Sequence, residues 1–204
     1  MISIIDYKMG NLASLKNAFT KLNIPAKIIT SKNEIEEADS LILPGVGAYP
    51  DAIEHLMENS LDEAIKEYAK SNRPLLGICL GMQLLFERSY EFGKTKGLGL
   101  LDGEVVKFDK KAMNKEEKIP HMGWNKIFLK KESNLFDNVD NPYLYFVHSY
   151  HVVCDKNVTI GTTEYGYEFT SAVNSGNVYG FQPHPEKSHI DGLKILENFN
   201  KIRI

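Results

Sequence analysis

The stretch that decides the fold is "LLGICLGMQ" at residues 75–83, where two glycines flank one cysteine in an apolar run. Gly77 lies two residues before Cys79, and Gly81 lies two residues after it. A strand that ends in Gly-x-Cys-x-Gly and runs directly into a helix has the layout of a nucleophile elbow, in which glycines remove Cβ clashes at a strained turn. The pattern is equally compatible with a buried structural thiol, because free cysteines are usually buried. The motif alone leaves both interpretations open.

The elbow interpretation has two chemical consequences. A sulfur at a helix N-terminus lies where the helix dipole stabilises a thiolate. The backbone N–H of Leu80 would then point toward an oxyanion formed beside the sulfur. Cys79 is therefore a candidate nucleophile, and Leu80 is a candidate oxyanion donor.

The sequence around the elbow alternates strand-like and helix-like segments. The predicted strands are 2–6, 26–30, 40–45 and 73–79, and the predicted helices are 12–22, a long segment 51–70, and 81–89. Strands that alternate with helices predict a mostly parallel sheet with helices on both faces. The second half contains strand-like segments at 100–108, 121–129, 142–153, 159–165 and 169–182, followed by a helix at 189–202. We therefore expect an α/β fold with an added antiparallel portion, in a single domain over residues 1–204.

Composition narrows the class of protein. The chain has 204 residues, is 43% hydrophobic, and carries a net charge of −3, which gives no electrostatic case for nucleic-acid binding. Its two cysteines are too few for a disulfide scaffold and favour a reducing compartment. The N-terminal segment reaches Asp6 early, and no apolar run approaches the roughly 20 residues needed to span a bilayer. We expect a cytoplasmic protein without a signal peptide or a membrane partner.

A cysteine nucleophile needs a base, and the base needs a group that orients it. Of the six histidines, only His184 lies in a suggestive context, "FQPHPEK" at 181–187. Residues that precede proline favour extended backbone, in which side chains two apart point the same way. Glu186 is therefore expected beside His184, where it can hold the imidazole for Cys79. The alternative is an ordinary turn at the end of a strand.

The glycine loop "LPGVGAYP" at 43–50 follows a predicted parallel strand, at the sheet edge where α/β proteins bind ligands. Pro50 occupies the third glycine position of the dinucleotide fingerprint, so that fingerprint fails, and no phosphate-binding Gly-Lys-Ser/Thr motif occurs. The N–H groups of Val46 or Gly47 could complete an oxyanion hole with Leu80. A simple Pro-Gly turn is the competing interpretation.

Two further features have less specific signals. His148 and His151 invite a metal interpretation, but no third ligand lies at a recognisable spacing, so we expect no metal and no cofactor. Trp124 is the only tryptophan, and it is either a core aromatic or an anchor at a protein interface.

Taken together, several motifs resemble those of the class I glutamine amidotransferases. They are "GICLGMQLLFE", "PGVG", "PHMGWN", "FVHSY" and "FQPHPEKS". Within that family they are most similar to the glutaminase subunits of imidazole glycerol phosphate synthases, from histidine biosynthesis. The resemblance covers nearly the whole chain and implies a three-layer, flavodoxin-like fold.

The resemblance also implies roles for individual residues. Cys79 would attack the amide of L-glutamine, His184 would shuttle protons, and Glu186 would orient His184. The resemblance further implies an oxyanion hole formed by Val46, Gly47 and Leu80. It also implies a substrate site formed by Gln83, Glu91, Ser149 and Tyr150.

The resemblance implies a partner as well. Family members of this kind deliver ammonia to a (β/α)8 cyclase subunit, which makes imidazole glycerol phosphate and aminoimidazole carboxamide ribonucleotide. Trp124, Tyr145 and Lys187 match positions that face that cyclase. The glycine loop leads us to expect little glutaminase activity without the partner, because a peptide flip there can make or break the oxyanion hole.

Two positions depart from the usual family pattern. Lys8 replaces a common glycine in "DYKMGN", and Pro183 replaces a frequent phenylalanine in "FQPHPEKS". Neither removes a catalytic group. These departures leave open that the same glutaminase serves a surface-sugar amidotransferase.

A non-catalytic binding or regulatory module is a second alternative, which the presence of Cys79, His184 and Glu186 argues against. A cysteine peptidase of similar fold is a more remote one, disfavoured by Gln83 and Glu91.

Overall fold

A computed structural model describes residues 1–202. Its helices are α1 (Leu12–Lys21), α2 (Lys32–Glu36), α3 (Tyr49–Glu58), α4 (Leu61–Ala69), α5 (Leu80–Leu84) and α6 (His189–Lys201). Its strands are β1 (Ile2–Ile5), β2 (Ala26–Ile29), β3 (Ser40–Leu43), β4 (Leu75–Ile78), β5 (Phe86–Ser89), β6 (Thr95–Lys96), β7 (Leu101–Lys107), β8 (His121–Lys126), β9 (Phe128–Leu129), β10 (Tyr143–His148), β11 (Tyr150–Cys154), β12 (Thr159–Tyr165), β13 (Tyr167–Ser175) and β14 (Val178–Phe181).

The main sheet joins a parallel half to an antiparallel half. Strands β2, β1, β3, β4 and β14 lie side by side and are parallel. Beyond β14 the sheet continues through β13 and β11 to β7, with each neighbouring pair antiparallel. A separate two-stranded antiparallel sheet consists of β8 and β10. This is the predicted α/β class with an antiparallel addition.

Helices cover both faces of the parallel half, as the apolar strands require. Leu15 and Phe19 of α1 pack with Phe199 of α6 in one core. Helices α3 and α4 bury side chains such as Leu56 and Ile65 in the core on the other face. Strands buried on both faces explain why β1, β3 and β4 read as continuous apolar runs rather than as alternating ones.

Two expected helices are wrong in extent. The segment 51–70 is two helices, because Ser60 between α3 and α4 has a left-handed backbone with φ of +53°. The segment 81–89 is helical only to Leu84, and Phe86–Ser89 instead pairs with β7 as strand β5. The apolar residues of this segment are compatible with a buried strand as well as with a helix, so hydrophobic periodicity could not distinguish a strand from a helix. The short helix α2 was not predicted, although Ser31 and Glu34 form a Ser-x-x-Glu capping box at its start.

Among residues 1–202, no helix is long and apolar enough to cross a membrane.

Candidate active site

Cys79 lies in a strained turn between β4 and α5. Its backbone has φ of +55° and ψ of −113°, a conformation that costs free energy for a residue with a Cβ. The flanking glycines allow the turn through close packing. A Cβ on Gly77 would lie 2.6 Å from the carbonyl oxygen of Gly81, and a Cβ on Gly81 would lie 1.9 Å from that of Leu43. The backbone strain of the turn is therefore located at Cys79, as in a nucleophile elbow.

The Cys79 sulfur is buried but contacts two polar groups. Its side chain lies 3.9 Å from the carbonyl oxygen of Val147, which accepts from the thiol, and 3.8 Å from Nε2 of Gln182, which donates to the sulfur. Only 6% of the residue is exposed.

His184 and Glu186 form a buried hydrogen-bonded pair. Nδ1 of His184 lies 2.8 Å from Oε1 of Glu186, and both side chains are at most 3% exposed. His184 itself is extended, but Pro185–Lys187 form a 3₁₀ turn. The predicted contact is present, although the turn rather than strand alternation produces it.

The bond to Glu186 fixes which ring nitrogen of His184 is available. Nε2 is buried and has no hydrogen-bond partner among residues 1–202. Burial by itself lowers the pKa of His184, but a negative charge on Cys79 and the hydrogen-bonded carboxylate of Glu186 raise it to about 10. When the sulfur is ionised, the imidazole is therefore held as a cation.

One cavity of about 320 Å³ brings most of the predicted site residues together. Its lining includes all the predicted catalytic, oxyanion and substrate residues except Glu186, which lies behind His184: Val46, Gly47, Cys79, Leu80, Gln83, Glu91, Ser149, Tyr150 and His184. Pro120, Val147 and His148 complete it. Residues from several separate parts of the chain thus converge at the carboxyl ends of β3 and β4, the sheet edge where α/β proteins bind ligands.

The glycine loop after β3 packs directly on the elbow. The hydroxyl of Tyr7 donates to the carbonyl oxygen of Pro44 at 2.7 Å and fixes the start of the loop. A Cβ on Gly45 would lie 2.8 Å from the backbone nitrogen of Gly81, so only glycine fits. Gly47 has φ of +101°, a value that L side chains rarely adopt. The loop is anchored at its start and conformationally permissive at its end.

Gln83 and Glu91 line another part of the cavity, which we call the polar wall. Nε2 of Gln83 donates to the carbonyl oxygen of Tyr150 at 2.9 Å and to Oε1 of Gln182 at 3.1 Å. Both of its N–H groups are occupied, so the carbonyl of Gln83 remains for a ligand. Glu91 accepts from the backbone N–H of Tyr49 at 2.8 Å, and partial burial raises its pKa. An acceptor and a carboxylate together suit a ligand ammonium group.

Comparison with known proteins decides the family. The family model "Glutamine amidotransferase class-I" matches residues 3–202. The chain belongs to the class I glutamine amidotransferases. Two curated relatives carry the name "Imidazole glycerol phosphate synthase subunit HisH". The protein from Sulfurimonas denitrificans is 59% identical over 100% of this chain and 99% of its own length, and that from Wolinella succinogenes is 53% identical over 99% and 100%.

Solved structures give the same fold for this amidotransferase. The structure of PurLQS from Thermotoga maritima matches with a TM-score of 0.75 at 18% identity, covering 98% of this chain and 97% of the matched chain. A glutamine amidotransferase from Thermotoga maritima matches with a TM-score of 0.65 at 19% identity, covering 98% and 82%. At these identities the likeness shows the fold alone.

The amidotransferase contains a second buried group of histidines that sequence reasoning did not find. Nδ1 of His121 lies 3.1 Å from Nε2 of His148, and Nδ1 of His148 lies 2.8 Å from the carbonyl oxygen of Tyr150. Burial lowers the pKa of His121 to about 4 and that of His148 well below 6.5. His151 contacts the hydroxyl of Tyr167 instead. Among residues 1–202, no three His, Cys, Asp or Glu side chains are grouped so as to hold a metal.

The three residues predicted to face a partner of the amidotransferase lie in one patch. Trp124 is 45% exposed, lies edge-on to Tyr145 at 6.2 Å, and stacks on His189 at 4.8 Å. The ammonium of Lys187 lies 5.8 Å from the centre of the Tyr145 ring. We call these four residues the aromatic patch. The core alternative for Trp124 is wrong, because nearly half of the residue is exposed.

Proposed function

We propose that the chain is the glutaminase subunit of an imidazole glycerol phosphate synthase, and that it hydrolyses L-glutamine at Cys79. The observation that carries this proposal is the single cavity in which Cys79, His184 and the polar wall converge. Full-length identity of 59% to a HisH protein supports the choice of synthase.

The geometry supports a two-stage reaction. The Cys79 thiolate attacks the side-chain carbonyl carbon of glutamine and forms a tetrahedral oxyanion. Nε2–H of His184 donates its proton to the leaving nitrogen, ammonia departs, and a γ-glutamyl thioester remains. Neutral His184 then takes a proton from water, the resulting hydroxide displaces the sulfur, and glutamate leaves. Thiolate and imidazolium are thereby restored, with Glu186 holding the ring throughout.

Backbone groups of the cavity would stabilise the oxyanion. Leu80 is the first residue of α5, and the first N–H groups of a helix lack intrahelical partners. We assign the oxyanion to Leu80 with Val46 or Gly47, since all three line the cavity beside Cys79. The permissive Gly47 supports gating of the loop by a partner, and so low activity in isolation.

The polar wall would bind the amino-acid end of glutamine. The free carbonyl of Gln83 and the carboxylate of Glu91 suit the α-ammonium group. Ser149 and Tyr150 lie along the same cavity and would border the backbone of the substrate.

The aromatic patch would dock a (β/α)8 cyclase subunit, which takes the ammonia. Exposed aromatic residues next to a cation are typical anchors of protein interfaces. The patch is also connected to the site, because the backbone N–H of His184 donates to the carbonyl oxygen of Tyr145 at 2.9 Å. A partner that moves Tyr145 would therefore act on His184.

We also propose a single domain and a cytoplasmic location. One sheet carries both cores, which supports a single domain. Cys79 and Cys154 are both free thiols, as a reducing compartment favours.

The Cys79→Ala variant tests the chemistry. We expect partner-stimulated glutamine hydrolysis to fall by about 10⁴-fold or more, because the nucleophile is lost. Cys154→Ala is the matched control, because its thiol lies outside the cavity and contacts Thr159. Substantial hydrolysis by Cys79→Ala would refute the mechanism, and a native complex that does not hydrolyse glutamine would favour a non-catalytic module.

The Trp124→Ala variant tests the partner surface. We expect the dissociation constant for the cyclase to rise by about 10- to 100-fold, since aromatic anchors dominate interface energies. Met57→Ala is the control, because Met57 is 61% exposed on α3 and lies outside the patch.

Isolation of the untagged complex identifies the protein that receives the ammonia. A (β/α)8 cyclase as the co-purifying protein supports the proposal, and a sugar amidotransferase contradicts it.

A further inference from the structure

Gln182 is a fully buried side chain that joins the nucleophile to the polar wall. It is 0% exposed and follows β14, whose last residue, Phe181, pairs with Ile78 of β4. The carbonyl oxygen of Phe181 also accepts from the backbone N–H of Cys79 at 2.7 Å. Gln182 and Cys79 therefore lie side by side, because each directly follows one of two neighbouring parallel strands.

A chain of hydrogen bonds fixes the orientation of the Gln182 amide. The carbonyl oxygen of Tyr150 can only accept, so the group of Gln83 that faces it at 2.9 Å must be the NH₂. The second hydrogen of that NH₂ is donated to Oε1 of Gln182 at 3.1 Å. The NH₂ group of Gln182 is then the one left to face Sγ of Cys79, at 3.8 Å.

This orientation matters because the sulfur has two polar neighbours of opposite preference. The carbonyl oxygen of Val147, at 3.9 Å, is an acceptor that favours the thiol. The N–H of Gln182 is a donor that favours the thiolate. A hydrogen bond to a charged acceptor is stronger than a hydrogen bond between neutral groups. Gln182 therefore donates a hydrogen bond to the sulfur, whereas Val147 offers it only an acceptor.

We propose that Gln182 is a positioning residue that stabilises the Cys79 thiolate and, through its carbonyl, holds Gln83 in the orientation that presents an acceptor to glutamine. It acts through these two residues rather than on the substrate. The proposal rests on Cys79 being the nucleophile of the proposed function.

Alkylation of the sulfur by iodoacetamide tests this proposal in the full chain. The rate at Cys79 is followed by peptide mass spectrometry between pH 6 and pH 10, with Cys154 in the same molecule as the internal reference. In Gln182→Met, which keeps the side-chain length, we expect the Cys79 rate at pH 7 to fall by about tenfold. We also expect the profile to move to higher pH. Cys154 should be unaffected.

Two further variants separate this role from general destabilisation. Asn198→Leu removes another buried amide, one that donates to the carbonyl oxygens of Leu135 and Asp137, and it should leave the Cys79 profile native. Gln182→Glu keeps the volume and adds a carboxylate beside the sulfur, so its profile should move further than that of Gln182→Met. If Gln182→Met does not fold, Gln182→Leu, which also lacks the amide donor, takes its place in the same measurement.

A native Cys79 profile in either folded Gln182 variant would overturn the proposal. Alkylation does not require glutamine turnover, so such a result would leave the glutaminase assignment intact. Conversely, hydrolysis that survives Cys79→Ala would refute the glutaminase mechanism whatever the alkylation profile.

Discussion

Two groups of buried imidazoles in this protein have opposite protonation states. His184 is paired with Glu186 and lines the same cavity as Cys79, and its pKa is raised to about 10 despite burial. His121 and His148 are paired with each other and with neutral groups, and burial lowers the pKa of both. Burial acts in the same direction on all three rings. The sign of the shift is decided by whether a negative charge lies beside the ring.

The contrast explains why only one of these rings can serve as the acid of the reaction. In the proposed mechanism His184 carries, at neutral pH, the proton that the leaving ammonia needs, whereas His148, which also lines the cavity, is neutral. The neutral pair instead helps to shape the cavity, because His148 contacts the carbonyl oxygen of Tyr150. In the proposed mechanism the same residue type thus performs a catalytic role in one group and a structural role in the other.

The largest expected effect comes from removing the charged ring. His184→Asn should lower kcat for partner-stimulated glutamine hydrolysis by about 10⁴-fold, since both proton transfers use this ring. His121→Asn removes a ring of the neutral pair and should stay within about tenfold of the native rate. Steady-state kinetics with the partner measures both. Equal losses of kcat in the two variants would contradict the distinction between a charged His184 and a neutral His121–His148 pair.

The second effect comes from removing the charge that orients His184. Glu186→Gln should lower kcat by about 10³-fold, because the ring loses its carboxylate partner. The pKa of His184 should also fall, so the alkaline limb of the kcat/KM profile should move down from about pH 10. Glu168→Gln is the control, since Glu168 pairs with Lys130 on the surface. An unchanged alkaline limb in Glu186→Gln would show that Glu186 does not set this pKa.

The smallest effect is on stability, and its sign differs between the two groups. His121 binds its proton less readily in the folded chain. The free energy of unfolding therefore decreases as pH falls from 6.5 through about 4, by on the order of 3 kcal/mol in total. His184 binds its proton more readily when folded. Its contribution is therefore complete below pH 6.5 and is lost as pH rises through about 10.

Urea unfolding at a series of pH values checks both signs. Cys79→Ala should flatten the alkaline loss, because the thiolate is a principal cause of the raised pKa of His184, and should leave the acid loss unchanged. Stability that does not decline between pH 6.5 and pH 4 would contradict the neutral assignment of His121.

The sequence predicted the parts of the site that depend on local backbone. The glycines of "LLGICLGMQ" indicated the strained turn at Cys79. The contact between His184 and Glu186 was also predicted, although a 3₁₀ turn at Pro185–Lys187 produces it rather than extended backbone. The order of strands and helices predicted the mixed sheet. These features are set by steric rules that act over a few residues, so they can be read directly from the chain.

The features that were missed depend on tertiary contacts. Gln182 reaches Cys79 only because β14 lies next to β4, although 103 positions separate the two residues. His121 and His148 meet only because β8 pairs with β10. The false helix at 86–89 has the same origin, since pairing with β7 rather than local periodicity determines that segment. No short-range pattern encodes these pairings.

The most direct measurement is nitrogen NMR of the histidine rings in the full chain, with each resonance assigned through a single His→Asn variant. We predict that His184 keeps both ring nitrogens protonated up to at least pH 9, while His121 and His148 are neutral at pH 6. Titration of His184 near its ordinary pKa of about 6.5 would contradict the assignment of an imidazolium beside a thiolate.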